Sequence, residues 1–295
     1  MKPELSSPVP SPCINVCQME PATGLCRGCL RTIDEIVAWG SASEDDKRPC
    51  GPRSGAAKPR STGAEVSIGL PPSIHVFERG WLSSNNILFT GADDTALVDS
   101  GYVTHAPQTL ALLRQVLAGR PLDRLLNTHL HSDHCGGNAL LQATYGCRTA
   151  IPAAEAARVA AWDEEALSYR ATGQQCARFG FDATLAPGDA LVLGGLPWRV
   201  LAAPGHDPHA LLFFCETEGI LISGDALWEN GFGVVFPELA GEPGFDAVGA
   251  TLDLIATLDA RVVIPGHGAL FGDVPAALAR ARSRLDYLSA DPVLS

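Results

Sequence analysis

Residues 125–137 read LLNTHLHSDHCGG. Leu125 to Asn127 have the look of a strand end, and the chain runs directly from them into His129 and His131. On an extended backbone alternate side chains share a side, so these two imidazoles face the same way. Ser132 is a natural N-cap, and Asp133 and His134 lie at the opening of the helix it starts. That helix is predicted from His134 to Tyr145. Gly136 and Gly137 leave room for a neighbouring backbone to approach closely. Four groups able to bind a metal thus arrive within residues 129–134, from one strand end and one helix start.

Three later segments have the same local form, a strand and then a tight loop carrying one ligand-type residue. They are VLAAPGH ending at His206, ILISGD ending at Asp225 and RVVIPGH ending at His267. Five of the eight histidines fall in these motifs, beside strand ends. Imidazole together with carboxylate suits Zn²⁺, Fe or Mn²⁺. Around them, short apolar runs at 74–77, 86–90 and 95–100 read as strands, as do 123–127, 147–151, 190–193, 197–202, 210–215, 219–223 and 261–264. Helical periodicity marks 106–118, 245–258 and 274–289, and 152–171, rich in Ala and Glu, is expected to be helical. Strands in runs with interspersed helices predict an α/β protein built as an αββα sandwich.

The ordered set H-x-H-x-D-H, P-G-H, S-G-D and P-G-H-G, spread over residues 66–290, resembles the metallo-β-lactamase superfamily. The resemblance implies two divalent metals, zinc first, with iron or manganese as alternatives. His129, His131 and His206 would hold one. Asp133, His134 and His267 would hold the other, with Asp225 bridging. It implies a hydrolase using a hydroxide shared by the two metals, with Asp133 also available to accept the nucleophile's proton. Asp99, in ALVDSG, matches a position that orients a ligand histidine; it also reads as a plain strand-end turn residue. Many relatives carry P-G-H-T-P-G-H where this chain has PGHDPHA, so His209 is either a substrate contact or an exposed loop residue. Cys135 reads as a packed bystander. Trp228, Phe232 and Phe236 are candidates for a pocket wall or for the core. Segment 160–181, with Trp162, Tyr169 and Phe179, is a candidate lid or an ordinary helix pair.

Charge narrows the substrate class. The chain carries a formal net charge of −12, and residues 63–295 hold 13 Lys/Arg against 26 Asp/Glu with no lysine. Such a surface repels a phosphate backbone. An ester, thioester, lactone or lactam of a small molecule is the expected substrate, and nucleic acid is disfavoured. A phosphodiesterase or nuclease and an iron-dependent oxidoreductase of the same fold are the alternatives. No run of eighteen apolar residues is present, so no membrane span is expected. The start, MKPELSSPVPSPC, has no apolar h-region, which points to a reducing, cytoplasmic setting.

The organisation expected is a module at 11–48, a Ser/Gly/Pro-rich linker at 49–65 and a catalytic domain at 66–295. In the module, Cys13, Cys17, Cys26 and Cys29 lie within one short stretch followed by a helical RTIDEIVAW. So small a unit needs a metal staple to fold. Four thiolates suit tetrahedral zinc or an iron–sulfur cluster. SPCINVC, LCRGC and RTIDEIVAW resemble a small uncharacterised bacterial cysteine-rich family suspected of iron–sulfur binding. The module is also a candidate docking point for a protein partner. Cys50, in the linker, is not expected to ligate.

Overall fold

The computed structural model describes residues 69–80 and 82–290, together with two short strands nearer the N-terminus. The chain divides into two compact units, Met1–Glu65 and Val66–Ser295. In the first, β1 (Met19–Glu20) pairs antiparallel with β2 (Leu25–Cys26), Met19 opposite Cys26. Cys13, Cys17, Cys29 and Cys50, the helix expected after them and the linker lie outside the described residues. Of Cys26 only the strand position is described.

The second unit contains two sheets. One has six strands in sequence order: β3 (Ile74–Phe77), β4 (Asn86–Thr90), β5 (Thr95–Val98), β6 (Arg124–Leu126), β7 (Arg148–Pro152) and β8 (Ala183–Leu185). Its first two pairings are antiparallel and the rest parallel. The other sheet runs β13-β12-β11-β10-β9, formed by β9 (Ala190–Leu193), β10 (Leu196–Ala202), β11 (Leu211–Cys215), β12 (Ile220–Gly224) and β13 (Val262–Pro265). A parallel β12–β13 pair closes it at one edge.

Alternation explains the layering. Ile87 and Phe89 of β4 and Ala96 and Val98 of β5 face the second sheet, where they meet Trp198, Val200, Leu211 and Phe213. Leu88 and Leu97, one residue out of phase, face the opposite way. They pack with Leu113 and Leu117 of α1 (Ala106–Leu117). On the far side, Leu212 and Leu221 point away from the inter-sheet core. They pack with Val248, Leu252 and Ile255 of α6 (Phe245–Thr257) and with Ala277 and Ala281 of α7 (Val274–Ala290). Both faces of each sheet are therefore covered, which is the αββα sandwich expected. It also explains why β5, β11 and β12 are buried at every position rather than at every second one.

Two local expectations are corrected and one is refined. The helix predicted from His134 to Tyr145 is two: α2 (Ser132–Cys135) and α3 (Asn138–Tyr145). The break falls at the Gly136–Gly137 pair. A Cβ on Gly136 would collide with the backbone of Val103, and one on Gly137 with the carbonyl of Ser100. The Ala/Glu-rich stretch from 152 is largely helical as expected, but in short pieces: a 3-10 turn at Ala153–Glu155, α4 (Ala156–Ala161) and α5 (Tyr169–Thr172), with turns between the last two. Strand β8 has no counterpart among the expected strands. Its Ala183 and Thr184 are exposed, so no apolar run announces it, and pairing with β7 supplies its strand character. No described helix is long and apolar enough to cross a membrane.

Candidate metal centre

The loops that follow the strands β5, β6, β10, β12 and β13 converge at one end of the sandwich, and every ligand-type residue of the motifs stands on or beside them. His129, His131 and His206 form one cluster, and Asp133, His134 and His267 a second. Asp225 lies with His129 and His134 between them. Within the first, His131 Nδ1 is 2.8 Å from His206 Nε2, which is 3.2 Å from His129 Nε2. In the second, His267 Nε2 is 3.1 Å and His134 Nε2 3.9 Å from Asp133 Oδ2. Asp225 reaches both: Oδ1 is 3.4 Å from His134 Nε2, and Oδ2 is 3.4 Å from His206 Nε2 and 3.6 Å from His267 Nε2. Two ligand atoms about 2.0–2.1 Å from a tetrahedral metal are separated by about 3.3 Å. The observed spacings bracket that value.

Partners on the outer side of the imidazoles decide which nitrogens are bare. Asp99 Oδ2 binds His134 Nδ1 at 2.8 Å, and its two oxygens accept from the Thr128 N–H and hydroxyl at 2.9 and 2.7 Å. His206 Nδ1 donates to the Val234 carbonyl at 2.6 Å. Asp207 Oδ2 lies 3.6 Å from His131 Nε2. With their outer nitrogens so engaged, His134 and His206 turn their inner nitrogens towards the clusters. His134 Nε2 is wholly buried and has no hydrogen-bond partner. A buried imidazole nitrogen left unpaired costs about 1–3 kcal/mol, and a cation among these donors would satisfy it. The donor set and its orientation therefore fit a metal pair.

Electrostatics agree except at His134, where burial is outweighed by Asp225, Asp99 and Asp133, which raise the imidazole well above its usual value, so a metal there would displace its proton. Burial holds His131 and His206 down to about 4 and His129 well below its usual value, so all three are neutral at physiological pH. Burial alone would raise Asp133, but His134 and His267 outweigh it and bring its carboxyl to about 2. Asp225 is likewise held well below the carboxylate range, by His134 and His206 against burial. Neutral imidazoles and ionised carboxylates are the forms that bind metals.

The backbone is shaped to permit this crowding. Asp99 adopts φ +57° at the end of β5, a left-handed conformation that Asp tolerates better than most residues. Gly266, just before His267, has no space for a side chain. A Cβ there would strike Asp225 Oδ1 and come within 2.9 Å of His134 Cε1. Asn85 holds the same loop by donating to the carbonyls of Pro265 and Gly268 at 2.9 and 2.7 Å. Sequence reasoning misses the roles of Asn85, Thr128 and Asp207. Asp207 is visible as part of the altered PGHDPHA loop, whereas Asn85 and Thr128 carry no signal until the loops are assembled.

A cleft of about 500 Å³ opens over the metal-binding groups, walled by Leu82, Tyr169, Trp228, Val234 and Phe236. Phe236 packs on His131 with ring centroids 4.1 Å apart, and Trp228 donates to Asp225 Oδ1 at 3.2 Å. Phe232 is buried in the core instead. From segment 160–181, Ser168, Tyr169, Thr172 and Gln174 line the cleft, while Trp162 and Phe179 pack together behind it. A second hollow of about 430 Å³ joins the first at His131, Ser168, Thr172 and Phe236. His209 lines neither; it is bonded to buried Glu155, which Arg158 also contacts at 2.9 Å.

A family model described as the metallo-beta-lactamase superfamily matches residues 79–267, and one described as a protein of unknown function (DUF1289) matches residues 11–51. Among curated proteins, the hydroxyacylglutathione hydrolase of Anaeromyxobacter dehalogenans is 32% identical over 224 residues, covering 73% of this chain and 76% of the relative. That of Acidiphilium cryptum is 33% identical over 170 residues, covering 57% and 59%. That of Rhodopseudomonas palustris is 34% identical, covering 50% and 48%. The chain thus spans about half the length of several curated relatives it matches. Among solved structures, a metallo-beta-lactamase family protein from Thermus thermophilus is 25% identical, with a TM-score of 0.61 over 75% of this chain and 82% of that one. A beta-lactamase domain protein from Burkholderia ambifaria gives 24% identity and a TM-score of 0.61 over 75% and 76%.

Proposed function

The chain belongs to the metallo-β-lactamase superfamily, as a hydrolase, and we propose that it is a binuclear enzyme cleaving thioesters of small molecules. The observation that carries the binuclear reading is the shared position of Asp225, within 3.6 Å of donors from both clusters. His129, His131 and His206 would hold one divalent metal, and Asp133, His134 and His267 the other. We take both metals to be zinc. Such a pair would supply a water of near-neutral pKa and positive charge for the substrate oxygen.

The chain's own residues supply the rest. Asp133 is ionised throughout the neutral range and stands beside the reaction space, where it accepts the proton of the attacking water. Asp99 fixes the tautomer of His134, and Val234 that of His206. Phe236 and Trp228 shield the metal-binding groups from bulk water and pack against an acyl chain. Among the described residues lining the cleft, Arg79 is the one Lys or Arg. Its guanidinium is already engaged by Asn86, Thr109 and Gln108. A phosphodiester finds little cationic support there, whereas a neutral acyl thioester needs none. The curated relatives, hydrolases of an acylglutathione by name, support the same substrate class. The four N-terminal cysteines we infer to hold zinc or an iron–sulfur cluster.

The test is a panel of acylglutathione and other acyl thioesters beside bis(p-nitrophenyl) phosphate, with the whole metal-loaded chain. Thioester turnover is expected. Turnover of the phosphodiester with inert thioesters would overturn the substrate class. Asp225→Ala and His267→Ala should each lower metal content and activity together. The loss should exceed the roughly ten- to hundredfold typical of outer partners. Two metals and full turnover in both variants would refute the assignment.

A further inference from the structure

Cys135 and Cys176 are 41 residues apart in the chain, yet their Sγ atoms lie 3.8 Å apart. Cys135 is fully buried in α2, directly after His134. Cys176 is half-buried in the segment after α5. The Tyr169 hydroxyl stands 3.2 Å from Cys135 Sγ and donates to the Leu130 carbonyl at 2.9 Å. Neither thiol lines the cleft, and hydrolysis uses neither. We propose that Cys135 and Cys176 form an oxidisable dithiol, which a peroxide closes to a disulfide beside the metal centre.

Sulfur–sulfur contact at this distance leaves about 1.8 Å to close to a covalent bond, a movement within reach of side-chain rotation on the Cys176 segment. Exposure assigns the roles: the accessible thiol reacts first and the buried one resolves, the usual arrangement of redox-sensing pairs. The hydrogen bond from Cys135 lowers the pKa of Cys176 from its ordinary value, which favours the attacking form. Cys176 sulfur attacks one peroxide oxygen and the O–O bond breaks. The departing hydroxide leaves as water with the proton that Cys176 gave up. Cys135 sulfur then attacks the resulting sulfenic sulfur, the S–O bond breaks, and the second hydroxide leaves as water with the Cys135 proton. Two thiols lose two electrons, and one hydrogen peroxide becomes two waters.

The bond would tie α2, which carries Asp133 and His134, to the segment that carries Gln174. Ser132 and Gln174 already touch across this junction and both line the cleft. Oxidation state would thereby be felt in the substrate site.

The test is peptide mapping of the whole chain, reduced and then treated with hydrogen peroxide. Trypsin cuts after Arg124, Arg148, Arg170 and Arg178, so Cys135 and Cys147 fall on one peptide and Cys176 on another. A cross-linked pair of these peptides is expected. It should persist in Cys147→Ser, vanish in Cys176→Ser and be reversed by dithiothreitol. Free Cys135 and Cys176 after peroxide, or a cross-link that Cys147→Ser abolishes, would overturn the proposal. Because the readout is peptide mass, it stands or falls separately from the thioesterase reading.

Discussion

Single side chains in this protein act through the partners behind them. His134 shows it best: one nitrogen is held by Asp99 and the other is bare and buried. Removing the charge at Asp99 while keeping its shape isolates this effect, because Asn also accepts the left-handed backbone that position requires. Asp99→Asn is expected to fold and to weaken metal retention about ten- to hundredfold, read by competition with a chromogenic chelator. Unchanged affinity would show that Asp99 serves the turn alone. The same reasoning separates His209 from the ligand histidines. Glu155 holds it away from the cleft, so the altered PGHDPHA loop acts on the site through Asp207 and His131 instead.

At the scale of elements, the strands place their loops by being buried on two faces. Trp198 of β10 is the largest side chain among the fully buried ones. It meets Phe89 of β4 edge-on at 5.4 Å and donates to the Leu193 carbonyl at 3.2 Å. It therefore joins the two sheets whose loops carry the ligands. Trp198→Ala should destabilise the fold by about 3–5 kcal/mol, measured by urea unfolding of the metal-free chain. A loss under about 1 kcal/mol would mean that the inter-sheet core can collapse around the cavity. Short elements behave differently: α2 spans only Ser132–Cys135. The Ser100 N–H, bonded to the His134 carbonyl at 2.7 Å, helps to hold it.

At the scale of the whole chain, two metal chemistries are proposed on two units, and they should be separable. Cys26→Ser with Cys29→Ser is expected to remove the N-terminal zinc or iron–sulfur absorbance while leaving two metals and thioester turnover. Elemental analysis and visible spectra of anaerobically purified protein check it, and loss of all metal together would refute independence. How far the molecule was legible beforehand follows from which contacts are local. The residues of LLNTHLHSDHCGG announce themselves because strand alternation and a helix start present His129, His131, Asp133 and His134 from one short stretch. PGH, SGD and PGHG repeat the strand-to-loop form that places His206, Asp225 and His267. The order of strand runs and interspersed helical stretches likewise pointed to the αββα layering. Backbone periodicity is a property of neighbours in sequence, so sequence alone sufficed for these. Only the assembled structure could decide that the Gly136–Gly137 pair divides a helix, that Asn85 and Thr128 brace the metal-binding loops, and that Cys135 meets Cys176. Each of those depends on atoms brought together from distant segments by sheet packing, and no local pattern encodes a contact whose other half lies elsewhere in the chain.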